Sequence, residues 1–577
     1  MKKVSLILMI LSLAVLSCKN STTTENDEVL LETSKVGSTY GCAPPTVDSE
    51  WYRKNNVAPL LDGLDVLHYP ITTNDPKAQE YFNQGLVLSY GFNHAEAARS
   101  FYYATRLDPE CAMCFWGFAY VLGPNYNAGM EPDNYERAYD AIQQAVTLSD
   151  KVTEKEKALI DALAQRYVPE PVEDRRELDV RYSAAMEDLF NRYEGDPEIA
   201  ALYAESVMDL YPWNLYDKEG EAREWTPKVI MLLEKVMKDF PDHPGAHHFY
   251  IHATEASKTP GRALGSAKKF DEGLVPGAGH LLHMPSHTYI QTGDYHKGSL
   301  ANLRAVERDS AYVTLCHAQG AYPLVYYPHN YHFLAATATL EGNSKWALMG
   351  SEKLAKKIHP DIMTEPGWST LQHYYMIPYF VDVKFAKWDK ILARQVIDTL
   401  LYPEAISRYA RGMAYLGKKD LQKAKEELKK LKVLEKDERL AEMMIWEINS
   451  MKTIVEIARK VLEAEILASE EQFDRSIILL EEAVALEDSL NFQEPPDWFF
   501  SVRHTLGAVQ IEAGRYPEAV KTLKKDLEIL PKNGWAQHGL KLAYEKMNDR
   551  EKVLEMETAL KDSWTTADVV INTSRIK

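Results

Sequence analysis

The sequence predicts an all-α superhelix built from pairs of antiparallel helices. Apolar residues recur at spacings of three and four rather than two, which is the helical period, and strand signals are nearly absent. A set of small and apolar residues also returns at fixed steps in several segments. With 577 residues, 45% of them hydrophobic, the chain can bury a large core, and its glycine and proline content excludes a fibrous or disordered protein.

The first residues predict export. Lys2 and Lys3 precede the apolar run 4–16, which is too short to span a bilayer and leads to Ser17 and Cys18. This pattern is typical of a signal peptide over residues 1–17. Residues 15–18 resemble a bacterial lipobox, in which the cysteine becomes the lipidated first residue of the mature chain. The alternative is ordinary signal cleavage beside an incidental cysteine.

We therefore expect an exported protein that a lipid on Cys18 anchors to a bacterial cell membrane, inner or outer, in the periplasm or at the cell surface. Residues 18–50 would form the lipidated tether. No later window has 18 uninterrupted apolar residues, so this lipid would be the only membrane contact. A net charge of −19, with lysine and arginine spread along the chain, makes nucleic acid an unfavourable partner.

A repeat begins at Gly85. Residues Leu88, Ala97, Phe101 and Ala104 follow it by 3, 12, 16 and 19 positions, and similar steps start at residues 412 and 507. This spacing closely resembles the tetratricopeptide repeat, in which small residues let two antiparallel helices approach. The resemblance implies an α-solenoid of such pairs, as one array or two.

The repeat grid divides the chain into four further parts. Repeat pairs occupy residues 51–160, and atypical histidine-rich helical repeats occupy residues 161–345. A second repeat array, predicted to be a plain interaction surface, covers residues 346–561, and residues 562–577 form a polar tail.

The histidines are unevenly distributed. Eleven of the 17 lie between residues 243 and 332, and two HxxxH segments, His248 to His252 and His283 to His287, are 35 residues apart. This distance nearly equals one helical repeat, so corresponding turns of successive helix pairs carry imidazoles.

In tetratricopeptide proteins the first helix of each pair lines the concave groove. With Ile251, Ser286 and Ala335 taken as the tight-packing positions, the resemblance implies that seven histidines and one carboxylate face this groove. They are His248, His252, Glu255, His280, His283, His287, His329 and His332. The same rule assigns Trp116 and Tyr120 to the groove as aromatic contacts.

Histidines four apart on a helix share a face and can bind one divalent ion, for which zinc or copper is suitable. The pattern is not the metalloprotease motif HExxH, because Phe249 and Met284 occupy the glutamate position. Two other interpretations stay open. The groove can be a metal-free site in which histidine acts as acid or base, or the rings can simply pack between helices.

Cys111 and Cys114 form a CxxC pair in a chain with few other cysteines. In an exported protein we expect a local disulfide or two buried small residues there rather than a catalytic thiol pair.

Three segments, HPGAHHFYIHATEAS, GHLLHMPSHTYIQTG and ECAMCFWG, resemble those of exported bacterial tetratricopeptide proteins over residues 75–347. That group implies no particular activity. The wider family implies binding of a protein, a peptide or a small polar ligand in the concave groove, which is the first functional prediction. The alternative is a zinc- or copper-dependent, or histidine-based, envelope enzyme that uses the central groove.

Overall fold

The structure, a computed structural model, describes residues 51–316, 322–358, 360–365 and 367–576. The predicted signal peptide, Cys18 and the whole of the tether lie outside these ranges. Within them the chain forms 26 α-helices, with one short hairpin of two strands, β1 (Met444–Ile445) and β2 (Asn449–Ser450). The predicted all-α solenoid of helical pairs is confirmed.

The helices of the N-terminal and central regions are α1 (Pro76–Tyr90), α2 (His94–Leu107), α3 (Ala112–Val121), α4 (Asn134–Leu148), α5 (Glu154–Ala164), α6 (Arg176–Arg192), α7 (Pro197–Leu210), α8 (Thr226–Asp239), α9 (Pro244–Glu255), α10 (Leu264–Asp271), α11 (Gly279–His283), α12 (Pro285–Thr292), α13 (Tyr295–Cys316), α14 (Tyr327–Leu340) and α15 (Ser344–Lys357).

The C-terminal helices are α16 (Thr370–Lys384), α17 (Trp388–Ala393), α18 (Leu401–Gly417), α19 (Leu421–Leu434), α20 (Arg439–Glu442), α21 (Met451–Ser469), α22 (Phe473–Ser489), α23 (Val502–Glu512), α24 (Tyr516–Ile529), α25 (Gly534–Lys546) and α26 (Arg550–Ser563). Short 3₁₀ turns occur at Ser149–Lys151, Pro260–Ala263 and Ile362–Thr364, and a π-helical turn, Tyr322–Tyr326, leads directly into α14.

The repeat glycines explain how the first helices pack. A Cβ atom added to Gly85 of α1 would lie 2.8 Å from the ring of Phe101, and one added to Gly117 of α3 would lie 2.4 Å from the same ring. Only a hydrogen fits at either position, so both helices close tightly on the phenylalanine of α2. The small residues of the repeat therefore set the distances between the helices.

Two large apolar cores meet in the middle of the chain. The first contains buried residues from Ala58 to Met284, and the second contains buried residues from Ile290 to Ile571. A smaller cluster packs α23 to α25 together. Helices α9 and α11 therefore contribute to the first core, whereas α12 and α14 contribute to the second.

The C-terminal array folds back onto the centre. The indole Nε1 of Trp535 donates to the Thr339 carbonyl at 2.8 Å, and the Tyr295 hydroxyl donates to the Pro531 carbonyl at 2.7 Å. Lys218 donates to the Ser489 carbonyl at 2.7 Å. These contacts enclose the histidine-rich segment instead of leaving an open groove.

The last residues differ from the expected polar tail. In residues 562–576, Ile571 and Ser574 are buried, and the Ser574 hydroxyl donates to the His504 carbonyl at 2.6 Å. Three predicted boundaries, 160/161, 345/346 and 561/562, fall inside α5, α15 and α26, because a repeat period does not mark where a helix ends. No helix in the described ranges is both long and apolar enough to cross a membrane.

Candidate metal centre

Six of the seven predicted groove histidines come together in one cluster, in which five are buried and His329 is partly buried. They form two groups of three, which we name set A (His248, His252 and His280) and set B (His283, His287 and His329). In each set one ring nitrogen per residue lies within 4.8 Å of the others.

The two HxxxH segments place these rings as the helical period requires. Helix α9 carries His248 and His252 one turn apart, and all twelve of its residues are buried. Helix α11 carries His280 and His283, so one short helix contributes to both sets. His287 follows on α12, and His329 comes from the first turn of α14. Every member of the cluster is therefore on a helix packed against others.

A phenylalanine covers set A. The centroid of the Phe92 ring lies 4.5 Å from that of His248 and 5.8 Å from those of His252 and His280. The backbone of Phe92 has φ = 53°, a left-handed conformation that is costly for a bulky side chain. The same left-handed turn follows other repeat helices, for example at Lys419 and Glu471, so it belongs to the repeat and here places the ring over the imidazoles.

Set B has an equivalent cover. Its rings are close, with centroid distances of 4.8 Å from His283 to His287 and 4.9 Å from His283 to His329. The Phe333 ring lies between 4.5 and 4.9 Å from all three imidazoles. Each set is therefore three imidazoles beneath one apolar ring.

In set A the hydrogen bonds fix where the ring protons are. His248 Nδ1 lies 2.5 Å from the Tyr90 carbonyl oxygen, and His252 Nδ1 lies 2.9 Å from Glu255 Oε1. Carbonyl and carboxylate oxygens only accept, so both Nδ1 atoms carry hydrogen and both Nε2 atoms carry a lone pair. These two Nε2 atoms, and both ring nitrogens of His280, are buried without a hydrogen-bond partner.

In set B an asparagine determines which ring nitrogen of His283 carries the hydrogen. Asn302 Nδ2 donates to the Gly298 carbonyl at 2.8 Å, which turns its Oδ1 towards His283 Nδ1 at 2.7 Å. His283 therefore keeps its lone pair on Nε2, which lies 2.9 Å from His287 Nε2. If both Nε2 atoms carried only a lone pair, they would repel each other at this distance. Either a proton or a metal ion therefore has to lie between His283 Nε2 and His287 Nε2.

One carboxylate links the two sets. Glu255 Oε1 contacts His252 of set A, and its Oε2 lies 2.7 Å from His287 Nδ1 of set B. Glu494, from the loop after α22, lies 2.7 Å from the same Nδ1 and is held by Gln291 at 2.5 Å. A ring nitrogen held by a carboxylate while the other faces a metal is the usual arrangement around protein metal sites.

Burial and neighbouring charges shift the pKa values of the cluster histidines in opposite directions. Burial lowers the pKa of His248, His280, His283 and His329 well below the usual histidine value, so these rings are neutral at neutral pH and can donate electron pairs. Burial alone would also lower the pKa of His287, but Glu255 and Glu494 raise it to about 9.

The two carboxylates behave differently. Burial would raise the pKa of Glu255, but His252 and His287 outweigh it and lower the value to about 2. Burial raises the pKa of Glu494 to about 7, even though His287 opposes the shift. The carboxylate that bridges the sets is therefore the permanently charged one.

His332 does not join the cluster. It lies three residues after His329 and faces α16 and the C-terminal array, where its ring centroid is 4.9 Å from that of Tyr374 and 5.1 Å from that of Phe499. The tetratricopeptide pattern assigned His332 to the groove because that pattern assumes that one face of α14 is open. In the structure this helix is packed on nearly all sides.

The predicted groove aromatics are core residues. Trp116 and Tyr120 are 2% and 3% exposed and stack on each other with a centroid distance of 5.3 Å. Trp116 Nε1 donates to the Leu159 carbonyl at 3.1 Å, and the Tyr120 hydroxyl donates to Glu205. The structure does not place these two residues in an open groove, because α5 and α7 cover this face of α3. At the start of α3, Cys111 and Cys114 form a disulfide.

Sequence reasoning missed four residues of the site: Phe92, Asn302, Phe333 and Glu494. Asn302 keeps the spacing of the repeat, which by itself indicates no chemical role. Glu494 belongs to the segment QEPPDW, whose paired prolines interrupt a helical pattern, and this interruption was the available signal. The C-terminal array, predicted to be a plain interaction surface, therefore supplies a carboxylate to the centre.

No family model and no curated protein matches this sequence. Among solved structures, the chain is similar to a human IFIT1 dimer with m7Gppp-AAAA at 12% identity, covering 94% of this chain and 96% of that one, with a TM-score of 0.31. The Cut9–Hcn1 assembly of the APC/C is 11% identical over 88% and 79% of the chains, and yeast Tom70 is 12% identical over 86% and 93%, both with TM-scores of 0.28. Likenesses this weak carry no information about the histidine cluster.

Proposed function

We propose that this protein binds two transition-metal ions, copper or zinc, one at set A and one at set B. One observation carries the proposal: three imidazoles converge within 4.8 Å in each set, all of them buried except His329, which is partly buried. Their geometry is that of three nitrogen ligands with the remaining metal positions left open.

Metal binding accounts for what packing alone leaves unexplained. In set A four ring nitrogens are buried without a partner, on His248, His252 and His280. A buried polar atom without a hydrogen bond costs about 1–3 kcal/mol, so a cluster retained only for packing would be expected to satisfy these atoms. A metal ion coordinated by the lone pairs removes this cost.

The composition of the sets favours copper and zinc over magnesium or calcium. All six side chains are imidazoles, which suit copper and zinc, whereas the harder ions prefer oxygen ligands. Copper(II) normally binds a given nitrogen site more tightly than zinc, so we expect it to win in direct competition. Three protein ligands also leave room for an exogenous ligand, as in catalytic metal sites.

Metal content of the purified full-length protein tests the proposal. After loading with copper(II) or zinc(II) and removal of the excess, we expect two ions per chain by elemental analysis. The variants His280→Gln and His329→Gln should each retain one ion, and the double variant none. The matched control is His68→Gln, which changes an exposed histidine outside the cluster and should retain two.

Circular dichroism of each variant separates lost ligands from lost fold. A folded wild-type protein that takes up neither metal would overturn the proposal. One ion per chain that is lost in both single variants would mean that the six histidines form one site rather than two.

We further propose that the metal centre operates at the bacterial cell envelope on a lipid-anchored chain. The lipobox-like residues 15–18 support this location. Labelled palmitate should be incorporated into the wild-type protein and not into Cys18→Ala. Equal labelling of both would remove the lipid anchor from the proposal without affecting the metal sites.

A further inference from the structure

Residues 569–576, which we name the tail segment, lie on the C-terminal array without regular secondary structure. Within the part of the chain that the structure describes, no backbone-to-backbone hydrogen bond holds them. Val570 is 91% exposed, whereas Ile571, Ser574 and Arg575 are buried. Single side chains therefore anchor the tail segment, as they anchor a peptide bound to the surface of another protein.

The anchors contact the first helices of three successive pairs, α21, α23 and α25. The Ser574 hydroxyl donates to the His504 carbonyl of α23 at 2.6 Å. A Cβ atom added to Gly539 of α25 would lie 3.0 Å from Ser574 Cβ, so the segment and this helix approach closely. Helical-repeat proteins present their binding surface along such successive helices. The tail segment occupies that surface here.

Arg575 brings a positive charge to carboxylates from two of these helices. Its guanidinium pairs with Glu465 of α21 and, at 2.9 Å, with Glu512 of α23. Arg575 is 7% exposed and Glu465 is 6% exposed. A buried charge that loses its partner is costly, so Glu465 requires another cation whenever Arg575 leaves. The planar fork of a guanidinium suits two carboxylates better than an ammonium does.

The groove continues past the tail segment. A cavity of about 70 Å³ lies next to Arg575 and Ile576, and its other walls come from α16, α18, α21 and the region around the start of α23. Phe380, Tyr409 and Trp498 line it with aromatic rings. The site therefore combines carboxylates for a guanidinium with aromatic walls for an apolar side chain beyond it.

We propose that the tail segment is an internal competitor for a peptide-binding site on the C-terminal array. The partner is a protein segment with an arginine followed by an apolar residue, and it binds when the tail segment leaves. Its arginine replaces Arg575 between Glu465 and Glu512. The proposal does not depend on the metal sites, which lie on other helices.

A labelled peptide with the sequence of residues 569–577 tests the proposal by fluorescence anisotropy with the full-length protein. In the wild type we expect weak binding, because the linked tail segment competes at a high effective concentration. Arg575→Glu places a further carboxylate beside Glu465 and Glu512 and releases the segment, so the peptide should bind at least about 10-fold more tightly. The matched control is Asn572→Glu, which adds the same charge at an exposed residue of the segment and should behave as the wild type.

Two changes identify what the released site recognises. In the Arg575→Glu protein, a peptide that carries Arg575→Lys should bind at least about 10-fold more weakly than the original peptide, because lysine lacks the fork. Adding Glu465→Gln to the protein should also weaken the original peptide about 10-fold, because it removes a charged partner. Unchanged affinity in this double variant would place the peptide elsewhere and overturn the proposal.

Circular dichroism of the variants distinguishes an internal competitor from a structural part of the array. A folded Arg575→Glu protein that binds the peptide no more tightly than the wild type would overturn the proposal. If Arg575→Glu does not fold, Arg575→Gln makes the same comparison without added repulsion. Loss of the fold in both variants would mean that the array needs the tail segment, which also overturns the proposal.

Discussion

Helices α9 and α26 are of similar length and opposite character. All twelve residues of α9 are buried, including His248, His252 and Glu255, whereas α26 has no buried residue. A terminal repeat helix needs only a weak contact with its neighbour and can be polar. A helix enclosed on every side and still rich in imidazole and carboxylate has to satisfy those groups internally, which marks it as part of a site.

The largest effect is expected from a core residue of the C-terminal array. Leu523 is fully buried and packs against Gly507 and Gly539. Leu523→Ala should destabilise the protein by about 2–5 kcal/mol in chemical denaturation, because it leaves a cavity. Metal content should stay at two ions per chain. If copper is lost from the folded variant, the two regions do not have separate roles.

A smaller change, in the free energy of copper binding rather than of unfolding, is expected from a substitution at Glu255. Glu255→Gln removes the charge that orients His252 and His287, so copper affinity should fall about 10- to 100-fold at both sets, measured by competition with a chelator. Glu234→Gln is the control, since that half-exposed glutamate pairs with Arg262 on the surface. A loss at one set alone would show that Glu255 does not couple the two.

Glu494 should have a more limited effect. Among the six histidines it contacts only His287, and it shares that contact with Glu255. Glu494→Gln should therefore weaken copper binding about 10-fold, at set B and not at set A. Pairing it with His280→Gln or His329→Gln isolates each set for the measurement. Unchanged affinity at set B would mean that the C-terminal array covers the centre without assisting it.

The smallest effect is expected on α26. Leu554 is 56% exposed, so Leu554→Gln should change the free energy of unfolding by less than about 0.5 kcal/mol and leave metal binding unaltered. Thermal unfolding with and without copper measures both. A large destabilisation would show that α26 packs against a further surface.

The helical period predicted the fold and most of the site. Residues at fixed steps, such as Gly85 and Phe101, identified the helical pairs, and the two HxxxH segments identified four rings on shared faces. These signals are local along the chain. They depend on the geometry of one helix or one pair, which the sequence encodes directly.

The contributions that were missed come from long-range packing. Glu494 reaches His287 only because the C-terminal array folds back over the centre, and no local pattern encodes that return. Phe92 covers set A because the turn after α1 adopts a left-handed backbone conformation. His332 was misassigned for the converse reason, since the enclosure of α14 makes its several faces equally buried.

The position of set B between the two apolar cores has a mechanical consequence. His283 lies beside Leu281 and Met284 of the first core, whereas His287 and His329 lie on helices of the second. An ion held by all three would cross-link the halves of the superhelix, and any bending there would first have to stretch a coordinate bond. Metal supply would then determine how stiff the whole chain is, and not only what its centre can bind.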